Sequence, residues 1–527
     1  MARRRPAPDL RALLASETLL RGAPSSFGPK LRVLLASPSS YEVGMGGLGL
    51  QAVWESLRDT GLAECDRAFS FAPDGPALLS AAKLSAYDVV GFSLPYELEW
   101  VNLPLMLLEG RVPILSADRG EDSPLVIAGG ASVTMNPEPL AEIIAAFVIG
   151  EFEPIADRLG AVLWQHLVGG PRARRECLAA LAELPGLYVP SQPQTGPVRR
   201  LVWAGVEGDP RCSLVISPHT VFADRFLIET GRGCPQGCRF CLARQIYGPV
   251  RYACSETVLQ RAREALAVTG KIGLIGAALS GYPGLEEVVD ELVAAGADVS
   301  LSSLRADRIT PRLVGALRRG GQQTVTVAPE AGTERLRDAV GKRITDDELL
   351  AAIAAADAEG LREVKLYFMA GLPSETEADL LAIADLIVLW VSAFPRLRFE
   401  VAVSPFVPKP WTPFERESFP GVRASEARLE TLGQAIRRRT RLSPRIGSSR
   451  WAAVQAALAR GGREVGRALV SAARQGGGYA AAKKALRVEG VDLSEPLLPP
   501  SEAPWRRVLG LDQVCGDPSS ESGGEPR

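Results

Sequence analysis

The sequence predicts an α/β protein with two series of alternating strands and helices, followed by a small helical region. Three observations predict this class. Short apolar runs recur along most of the chain, helical stretches separate them, and Gly or Pro marks many of the junctions. Such alternation is typical of parallel sheets covered by helices. The composition agrees, because 46% of the 527 residues are hydrophobic and 23% are charged, close to the globular average.

The charge of the chain is balanced, with 60 Lys and Arg against 61 Asp and Glu and a net charge of -1. Non-specific nucleic-acid binding needs a basic surface and is therefore not expected. We find no uncharged apolar run of ~18 residues, so no membrane span is expected. The Arg-rich start is not followed by an apolar signal core, and we expect a cytoplasmic protein.

The first series occupies residues 29–165, after an N-terminal tail at 1–28. Its candidate strands are Leu31–Ala36, Val89–Ser93, Pro113–Ser116, Leu125–Ala128 and Phe147–Gly150. Helical stretches separate most of these runs, which predicts a parallel sheet with helices on its faces. Residues 166–215 are mixed in pattern, and we interpret them as a linker subdomain with a small hairpin formed by Gly186–Pro190 and Val198–Val206.

The second series occupies residues 216–440 and contains six strand–helix units. Its candidate strands are Arg225–Glu229, Ile272–Ala277, Asp298–Ser302, Thr324–Val327, Glu363–Met369 and Arg398–Val403. Six consecutive units predict a partial (β/α)6 barrel, two units short of a TIM barrel. A long Pro-rich loop at 404–420 follows the last strand and suggests a functional element. Residues 441–498 predict a helical C-terminal region, and the Pro/Ser/Gly/Glu-rich residues 499–527 predict a disordered tail.

Three cysteines fall close together, directly after the first barrel strand. The segment GRGCPQGCRFC carries them as Cys234, Cys238 and Cys241. Loops that follow the strands hold the active sites of such barrels. Three thiolates at the CxxxCxxC spacing can hold three irons of a cubane cluster. The fourth iron then keeps an open position for a substrate, as catalytic metal sites do.

A zinc knuckle and three buried thiols are the alternatives for this motif. Zinc takes four ligands, and no further Cys or His completes a zinc spacing here. We expect Cys254, past a basic stretch, to be a packing residue. The sequence has only two His, His166 and His219, which nearly excludes a mechanism that needs a His cluster. A disulfide framework is not expected in a large chain without an export signal.

The cysteine motif, with Phe240 before its last cysteine, resembles that of the radical S-adenosylmethionine (SAM) superfamily. The resemblance implies a [4Fe-4S] cluster held by Cys234, Cys238 and Cys241. It implies SAM bound to the open iron and reductive cleavage of SAM to a 5′-deoxyadenosyl radical. It also implies a low-potential electron donor such as flavodoxin or ferredoxin.

Candidate SAM contacts follow the third barrel strand, in a place where that superfamily binds SAM. Ser303, Arg305 and Asp307 suit the ribose hydroxyls and the methionine carboxylate of SAM. The alternative is an Arg–Asp pair at a solvated strand end. The superfamily's usual Gly-Gly-Glu after the second strand is missing, and the segment there is ALSGYP. Ser280 is therefore our candidate partner for the amino group of SAM.

Two further strands end in candidate SAM contacts. Glu330 ends the fourth strand, and Thr333 nearby suits a helix cap. Gly371 and Pro373 end the fifth strand, where a close backbone approach to the adenine would need Gly. These positions complete the predicted cofactor site of the barrel.

The N-terminal series resembles the Rossmann-like, cobalamin-binding type of domain that precedes the barrel in one branch of the superfamily. On this resemblance, the candidate cobalamin contacts are Gly91, Ser93, Gly129 and Gly130. The domain lacks the Asp-x-His-x-x-Gly loop and contains no His, so cobalamin would bind without a protein His on cobalt. The alternative is a purely structural Rossmann domain that shapes the substrate pocket. NAD binding is less favoured, because no GxGxxG follows the first strand.

Three functions follow from these observations. The first is a cobalamin-dependent radical SAM methyltransferase acting on an unactivated carbon. The second is a cobalamin-independent radical SAM enzyme, for example for sulfur insertion or rearrangement, with the Rossmann domain as a substrate lid. The third is a non-catalytic iron–sulfur protein. A small molecule, a lipid and a peptide all stay open as substrates.

Overall fold

The computed structural model describes residues 10–20, 28–70 and 82–515. It confirms the predicted fold class, with a Rossmann-like sheet followed by a partial barrel and a helical C-terminal region. Within these ranges, no helix combines the length and the apolar character needed to cross a bilayer.

The N-terminal sheet has six strands: β1 (Leu31–Ser37), β2 (Ala63–Phe69), β3 (Val89–Ser93), β4 (Leu125–Gly129), β5 (Ala146–Val148) and β6 (Leu187–Tyr188). Their order is β2-β1-β3-β4-β5-β6, and all pairs are parallel except β5 with β6. The helices of this part are Leu10–Ser16, Tyr41–Gly44, Leu48–Asp59, Leu103–Glu109, Ala131–Met135, Ala156–Leu167 and Arg174–Ala182. The order reverses between β1 and β3, which opens a crevice at the carboxyl edge of the sheet.

Two details of this sheet differ from the sequence prediction. Ala63–Phe69 is a strand, although its sequence AECDRAF is rich in charge. Pro113–Ser116 is not a strand. The Arg119 guanidinium donates hydrogen bonds to the carbonyl oxygens of Pro113 and Ile114, at 2.9 and 2.6 Å. These carbonyl groups are therefore bonded within a local turn and not to a neighbouring strand.

The expected hairpin in the linker is also wrong. Leu187–Tyr188 joins the N-terminal sheet, whereas Val198–Leu201 (β7) pairs in parallel with a strand from the end of the chain. That partner is Leu509–Cys515, and Pro504–Val508 before it is a helix. The prediction of disorder for 499–527 is therefore wrong for Pro504–Val508 and Leu509–Cys515. The strand pairs with β7, which is distant in sequence, so a local pattern could not predict it. Residues 516–527 lie outside the described part.

The barrel strands are β8 (Phe226–Arg232), β9 (Lys271–Gly276), β10 (Asp298–Leu301), β11 (Thr324–Glu330), β12 (Glu363–Ala370) and β13 (Arg398–Pro405). Consecutive strands pair in parallel, and a single bridge from Leu304 to Val327 joins the two halves of the sheet. The helices between and after the strands are Ala243–Tyr247, Ser255–Leu266, Leu285–Ala294, Pro311–Arg319, Glu334–Ala339, Asp346–Ala358, Glu377–Ala393 and Val422–Thr440.

Side-chain alternation along these strands separates the packed face from the lumen. On β12, Val364, Leu366 and Phe368 are buried against the helices, while the intervening Tyr367 is 41% exposed. Successive side chains of a strand point to opposite faces, so the odd-numbered positions of β12 face the lumen. The barrel interior is consequently accessible next to the loops that carry the candidate site.

The C-terminal helices Ser449–Arg460, Arg463–Arg474 and Gly478–Val488 pack on the N-terminal domain. Asn136 donates from its side-chain amide to the carbonyl oxygens of Ala459 and Gly461, at 3.1 and 2.9 Å. The loop after β13 makes a second contact, where the Trp411 indole donates to the Met135 carbonyl at 2.9 Å. These contacts fix the N-terminal domain against the carboxyl ends of the barrel strands.

Candidate functional site

The cysteine loop leaves the end of β8 and carries its three thiols within one turn-rich segment. Cys234, Cys238 and Cys241 are all half-buried and unpaired. Gly233 has a φ of +80°, and an added Cβ would lie 2.8 Å from the Pro249 carbonyl oxygen. Only Gly allows the loop to pass this close to its neighbour. The loop is therefore shaped by its glycines to present the thiols at the barrel mouth.

The turn after the helix Glu334–Ala339 contacts the cysteine loop through its backbone. The Arg239 amide donates to the Val340 carbonyl at 2.8 Å. Gly341 has a φ of +72°, and a Cβ there would lie 2.4 Å from the Gly237 carbonyl oxygen. The two loops are thus in direct backbone contact, and only Gly fits at position 341.

The thiols share an electrostatic environment with residues of the third and fourth strand ends. Burial raises the pKa of the Cys238 thiol, while the cations of Lys342 and Arg305 act to lower it and Glu330 to raise it. Burial also raises the pKa of the Cys241 thiol, which both other cysteines of the motif influence. The structure therefore brings the predicted Arg305 and Glu330 to the cysteine loop.

Arg305 lies at the centre of the group predicted after β10. Its Nε donates to Asp307 at 2.9 Å, and its backbone amide donates to the Ser280 hydroxyl, also at 2.9 Å. One guanidinium nitrogen, Nη1, is buried and has no hydrogen-bond partner among the described residues. Ser280, Arg305 and Asp307 therefore form one contact group, whereas Ser303 is exposed beside it.

Glu330 and Lys342 form a buried ion pair beside the cysteine loop. The Lys342 ammonium lies 3.1 Å from the Glu330 carboxylate, and their side chains are 11% and 14% exposed. Glu330 has a φ of +69°, a conformation that costs of order 1 kcal/mol or more for a non-glycine residue and concentrates at functional sites. Burial raises the pKa of Glu330, although Lys342 opposes this effect. The sequence contains no motif that points to Lys342, and our prediction missed it.

The loop after β12 begins with Gly371, which has a φ of +88°. Its amide donates to both carboxylate oxygens of Glu375 at 3.0 Å, so the backbone here is held by its own loop. Pro373 is half-buried in the same loop. Thr333 caps the helix Glu334–Ala339 through the Leu336 amide, as its position suggested.

A cavity of about 410 Å³ lies between the N-terminal sheet and the barrel. Gly91, Ser93, Gly129 and Gly130 all line it. Its lining is mostly apolar and includes side chains of the sheet and of the helices Leu48–Asp59 and Ala156–Leu167. Gly130 has a φ of +115°, and a Cβ there would lie 2.7 Å from the Leu94 carbonyl oxygen, so packing alone already requires this glycine.

The barrel side of the cavity is a network of buried charges. Arg232, two residues before Cys234, makes two hydrogen bonds to Glu153 at 2.7 and 3.1 Å and pairs with Glu229 at 2.8 Å and Glu151 at 3.1 Å. Although burial favours its neutral form, ion pairs with Arg232 and Arg211 hold the pKa of Glu153 down to about 2. This network joins the start of the cysteine loop to the N-terminal domain.

The described residues contain neither a convergent ligand set for a single metal ion nor a core position for Cys254. Within the described ranges, no three His, Cys, Asp or Glu side chains converge closely enough to hold one metal ion. Cys254 is not a core packing residue: it stands at the N-cap of the helix Ser255–Leu266, and its thiol donates to Glu256 at 2.6 Å. Polar contact at a helix end explains its half-exposed position.

Two family models match the chain. The model described as "Radical SAM proteins, N-terminal" matches residues 49–190, and the model "Radical SAM superfamily" matches residues 228–387. The uncharacterized protein MJ0966 of Methanocaldococcus jannaschii is 31% identical over 360 residues, which cover 68% of this chain and 74% of that protein.

Solved structures that match part of the chain include the cobalamin-dependent S-adenosylmethionine radical enzyme OxsB with aqua-cobalamin bound. It is 15% identical, with a TM-score of 0.48, over 68% of this chain and 52% of that chain. HydG, a maturase of the [FeFe]-hydrogenase, is 15% identical with a TM-score of 0.29 over 41% of this chain and 49% of its own. The chain thus spans about half the length of these solved proteins.

Proposed function

Because the chain belongs to the radical SAM superfamily, we propose that it is an enzyme that holds a [4Fe-4S] cluster on Cys234, Cys238 and Cys241 and cleaves SAM reductively. The bound cluster would supply the electron that converts SAM to methionine and a 5′-deoxyadenosyl radical. The observation that carries this proposal is the placement of three thiols on the loop after β8, beside Arg305 and Glu330 from later strand ends.

The donor set fits a cubane cluster. Each of the three thiolates binds a different iron of such a cluster, so the thiols need not converge on one ion. The loop also has glycine at the points of closest backbone approach, Gly233 and Gly341. Lys342 and Arg305 supply positive charge near thiols that bind iron as thiolates.

The surroundings of Arg305 fit the methionine end of SAM. Its Nη1 is buried and finds no partner in the described part of the chain, and an unsatisfied buried donor is costly unless a ligand completes it. A carboxylate accepts hydrogen bonds from a guanidinium in a planar, two-pronged geometry. Arg305 would therefore orient the SAM carboxylate, while Asp307 and Ser280 hold the Arg305 side chain and backbone in place.

Anaerobic reconstitution with iron and sulfide, followed by SAM and dithionite, tests the proposal. We expect 5′-deoxyadenosine to form. Iron-loaded protein that binds SAM but yields no 5′-deoxyadenosine would favour the non-catalytic alternative. Protein that takes up no iron would refute the proposal.

We further infer that the enzyme binds cobalamin and transfers methyl groups to an unactivated carbon of its substrate. The cavity between the two domains supports this inference, because its mostly apolar lining suits the aromatic base of a cobalamin nucleotide tail. Gly91, Ser93, Gly129 and Gly130 line it together with Arg232 and Gly233, which lead into the cysteine loop. Neither His166 nor His219 lines the cavity. Cobalamin would accordingly be base-off and carry no protein His on cobalt.

A variant that fills the cavity tests cobalamin binding separately from the cluster. Val53 lines the cavity from the helix Leu48–Asp59, whereas Val162 packs on the same core without lining it. We expect Val53→Phe to lose cobalt while its iron content stays normal, and Val162→Phe to keep both metals. Wild-type protein that takes up no cobalamin would refute this part and favour the cobalamin-independent alternative. A nitrogen axial ligand traced to either His would refute the assigned binding mode.

The remaining expectations are part of this proposal. The enzyme needs a low-potential electron donor of the flavodoxin or ferredoxin type and acts in the cytoplasm. Its substrate is a small molecule, a lipid or a peptide that reaches the open barrel lumen.

A further inference from the structure

Lys342 is a cation beside the cysteine loop that belongs to no predicted motif. It follows Gly341, whose backbone contacts Gly237 between the first two cysteines. Its side chain is 11% exposed, and its carbonyl oxygen accepts a hydrogen bond from Arg305 at 3.2 Å. The residue is therefore fixed at both its backbone and its side chain.

The Glu330–Lys342 pair lies beside the cysteine loop. The Arg239 amide of that loop donates to the carbonyl oxygen of Val340, two residues before Lys342, at 2.8 Å. The Lys342 ammonium lies 3.1 Å from the Glu330 carboxylate. The structure therefore fixes one positive charge next to the loop of the three thiols, with a carboxylate as its counter-charge.

Such a fixed charge has a consequence for a cluster on this loop. One-electron reduction of a [4Fe-4S] cluster adds one negative charge without changing its ligands. A nearby cation stabilises that charge more strongly in a buried environment than in water. Local net charge and hydrogen bonding are among the factors that set the reduction potentials of iron–sulfur clusters.

We propose that Lys342 is a positioning residue that stabilises the reduced cluster, with Glu330 as the counter-charge that limits this effect. The inference rests on the proposed function, since it needs the cluster to be present. It predicts that variants of the two members of this ion pair shift the midpoint potential of the cluster in opposite directions. Lys342→Met lowers the midpoint potential, because it removes the positive charge. Glu330→Gln raises the potential, because it leaves the ammonium uncompensated.

The experiment is a mediator-coupled titration of the reconstituted protein with dithionite as the electron source, in the absence of SAM. The signal of the reduced cluster in electron paramagnetic resonance is the readout. At a fixed potential, we expect the ratio of reduced to oxidised cluster to fall about tenfold in Lys342→Met. That change corresponds to about 59 mV for a one-electron couple. Lys342→Arg keeps the wild-type potential.

Lys271→Met is the matched control. Lys271 begins β9 at the end opposite the mouth, where it pairs with Asp224 at 3.9 Å. We expect no shift in that variant. Iron and sulfide contents are measured first in every variant, so loss of the cluster is distinguished from a change in its potential.

Three outcomes overturn the inference while leaving the proposed function intact. One is an unchanged potential in Lys342→Met with a full cluster. Another is a shift of the same sign in Lys342→Met and Glu330→Gln, which would indicate a purely structural effect. The third is an equal shift in Lys271→Met. A wild-type protein that takes up no iron would instead overturn the proposed function itself.

Discussion

Arg305 donates to Asp307 while its Nη1 stays buried without a partner among the described residues. An exposed ion pair would contribute little and would leave no orphaned donor. Both residues were predicted from the sequence as SAM contacts, and the structure shows that they form an ion pair. Contacts of Arg305 with the SAM carboxylate and of Asp307 with the ribose stay predictions.

Arg305→Ala should weaken SAM binding strongly while the iron content stays normal. Loss of one charged hydrogen bond costs roughly 1.5–3 kcal/mol, which is about one to two orders of magnitude in affinity. Equilibrium binding of SAM to the reconstituted protein measures the effect. The control is Arg308→Ala, because Arg308 is the exposed arginine three residues on. Equal affinities in the two variants would identify Arg305 as a structural ion-pair residue only.

Residue types alone could not reveal Lys342. The cysteines are recognisable because three of them recur at a fixed spacing, but a single Lys in a turn about one hundred positions later carries no such pattern. Its position depends on how the turn after the helix Glu334–Ala339 packs on the cysteine loop. That contact between distant loops is a tertiary property, which local propensity cannot predict.

At the scale of elements, most apolar runs predicted strands correctly, with Pro113–Ser116 as an exception, whereas one strand rich in charge was missed. Val89–Ser93 has its predicted bounds, whereas Ala63–Phe69 was missed because its charged residues suggest a surface segment. Asp66 and Arg67 are nevertheless buried: the Tyr87 hydroxyl donates to Asp66, and Arg67 pairs with Glu17 at 2.8 Å. A strand whose buried charges have specific partners lacks the apolar pattern by which buried strands are predicted.

The contact between the turn at Gly341 and the cysteine loop gives a test at the same scale. Gly341 and Gly360 have nearly the same φ, +72° and +74°. Replacing either by Ala should therefore cost about 1 kcal/mol of stability from backbone strain. Only Gly341→Ala also pushes on the Gly237 carbonyl oxygen, since a Cβ at Gly360 would have nothing within 4 Å. We therefore expect low iron content after reconstitution in Gly341→Ala alone.

Iron analysis and thermal unfolding of both variants check this expectation. Full iron loading of Gly341→Ala, with the same unfolding midpoint as Gly360→Ala, would contradict the assigned support of the cysteine loop.

At the scale of the whole molecule, buried ion pairs join the two domains next to the cysteine loop. Arg251 pairs with Glu151 at 2.7 Å, and Arg232 pairs with Glu153 and Glu151. The guanidinium groups of Arg211 and Arg232 both lie against the Trp203 ring, at 4.3 and 5.0 Å from its centroid. The sequence predicted both domains but not this interface, because its partners come from separate parts of the chain.

The pKa of Glu153 makes this interface sensitive to acid. Its folded-state pKa is about 2, below the ordinary value of 4.5. A depressed carboxyl pKa contributes stability that is present above pH 4.5 and is lost as the pH falls toward 2. The contribution at neutral pH is on the order of 3 kcal/mol. Glu153→Gln should therefore destabilise the protein at pH 7 and show a smaller further loss between pH 4.5 and 2.

Denaturant unfolding across this pH range measures both effects. The control is Glu42→Gln, since Glu42 is an exposed carboxyl of the same domain. Parallel stability curves for wild type and Glu153→Gln would show that the Glu153 carboxylate does not titrate as described.

Iron content of anaerobically reconstituted protein tests the central claim most directly. The account predicts about four irons per chain in the wild type. It predicts the same content in Cys254→Ser and none in a variant with Cys234, Cys238 and Cys241 all replaced by Ala. A triple variant that stayed brown and iron-loaded would contradict the assignment of these three cysteines as cluster ligands.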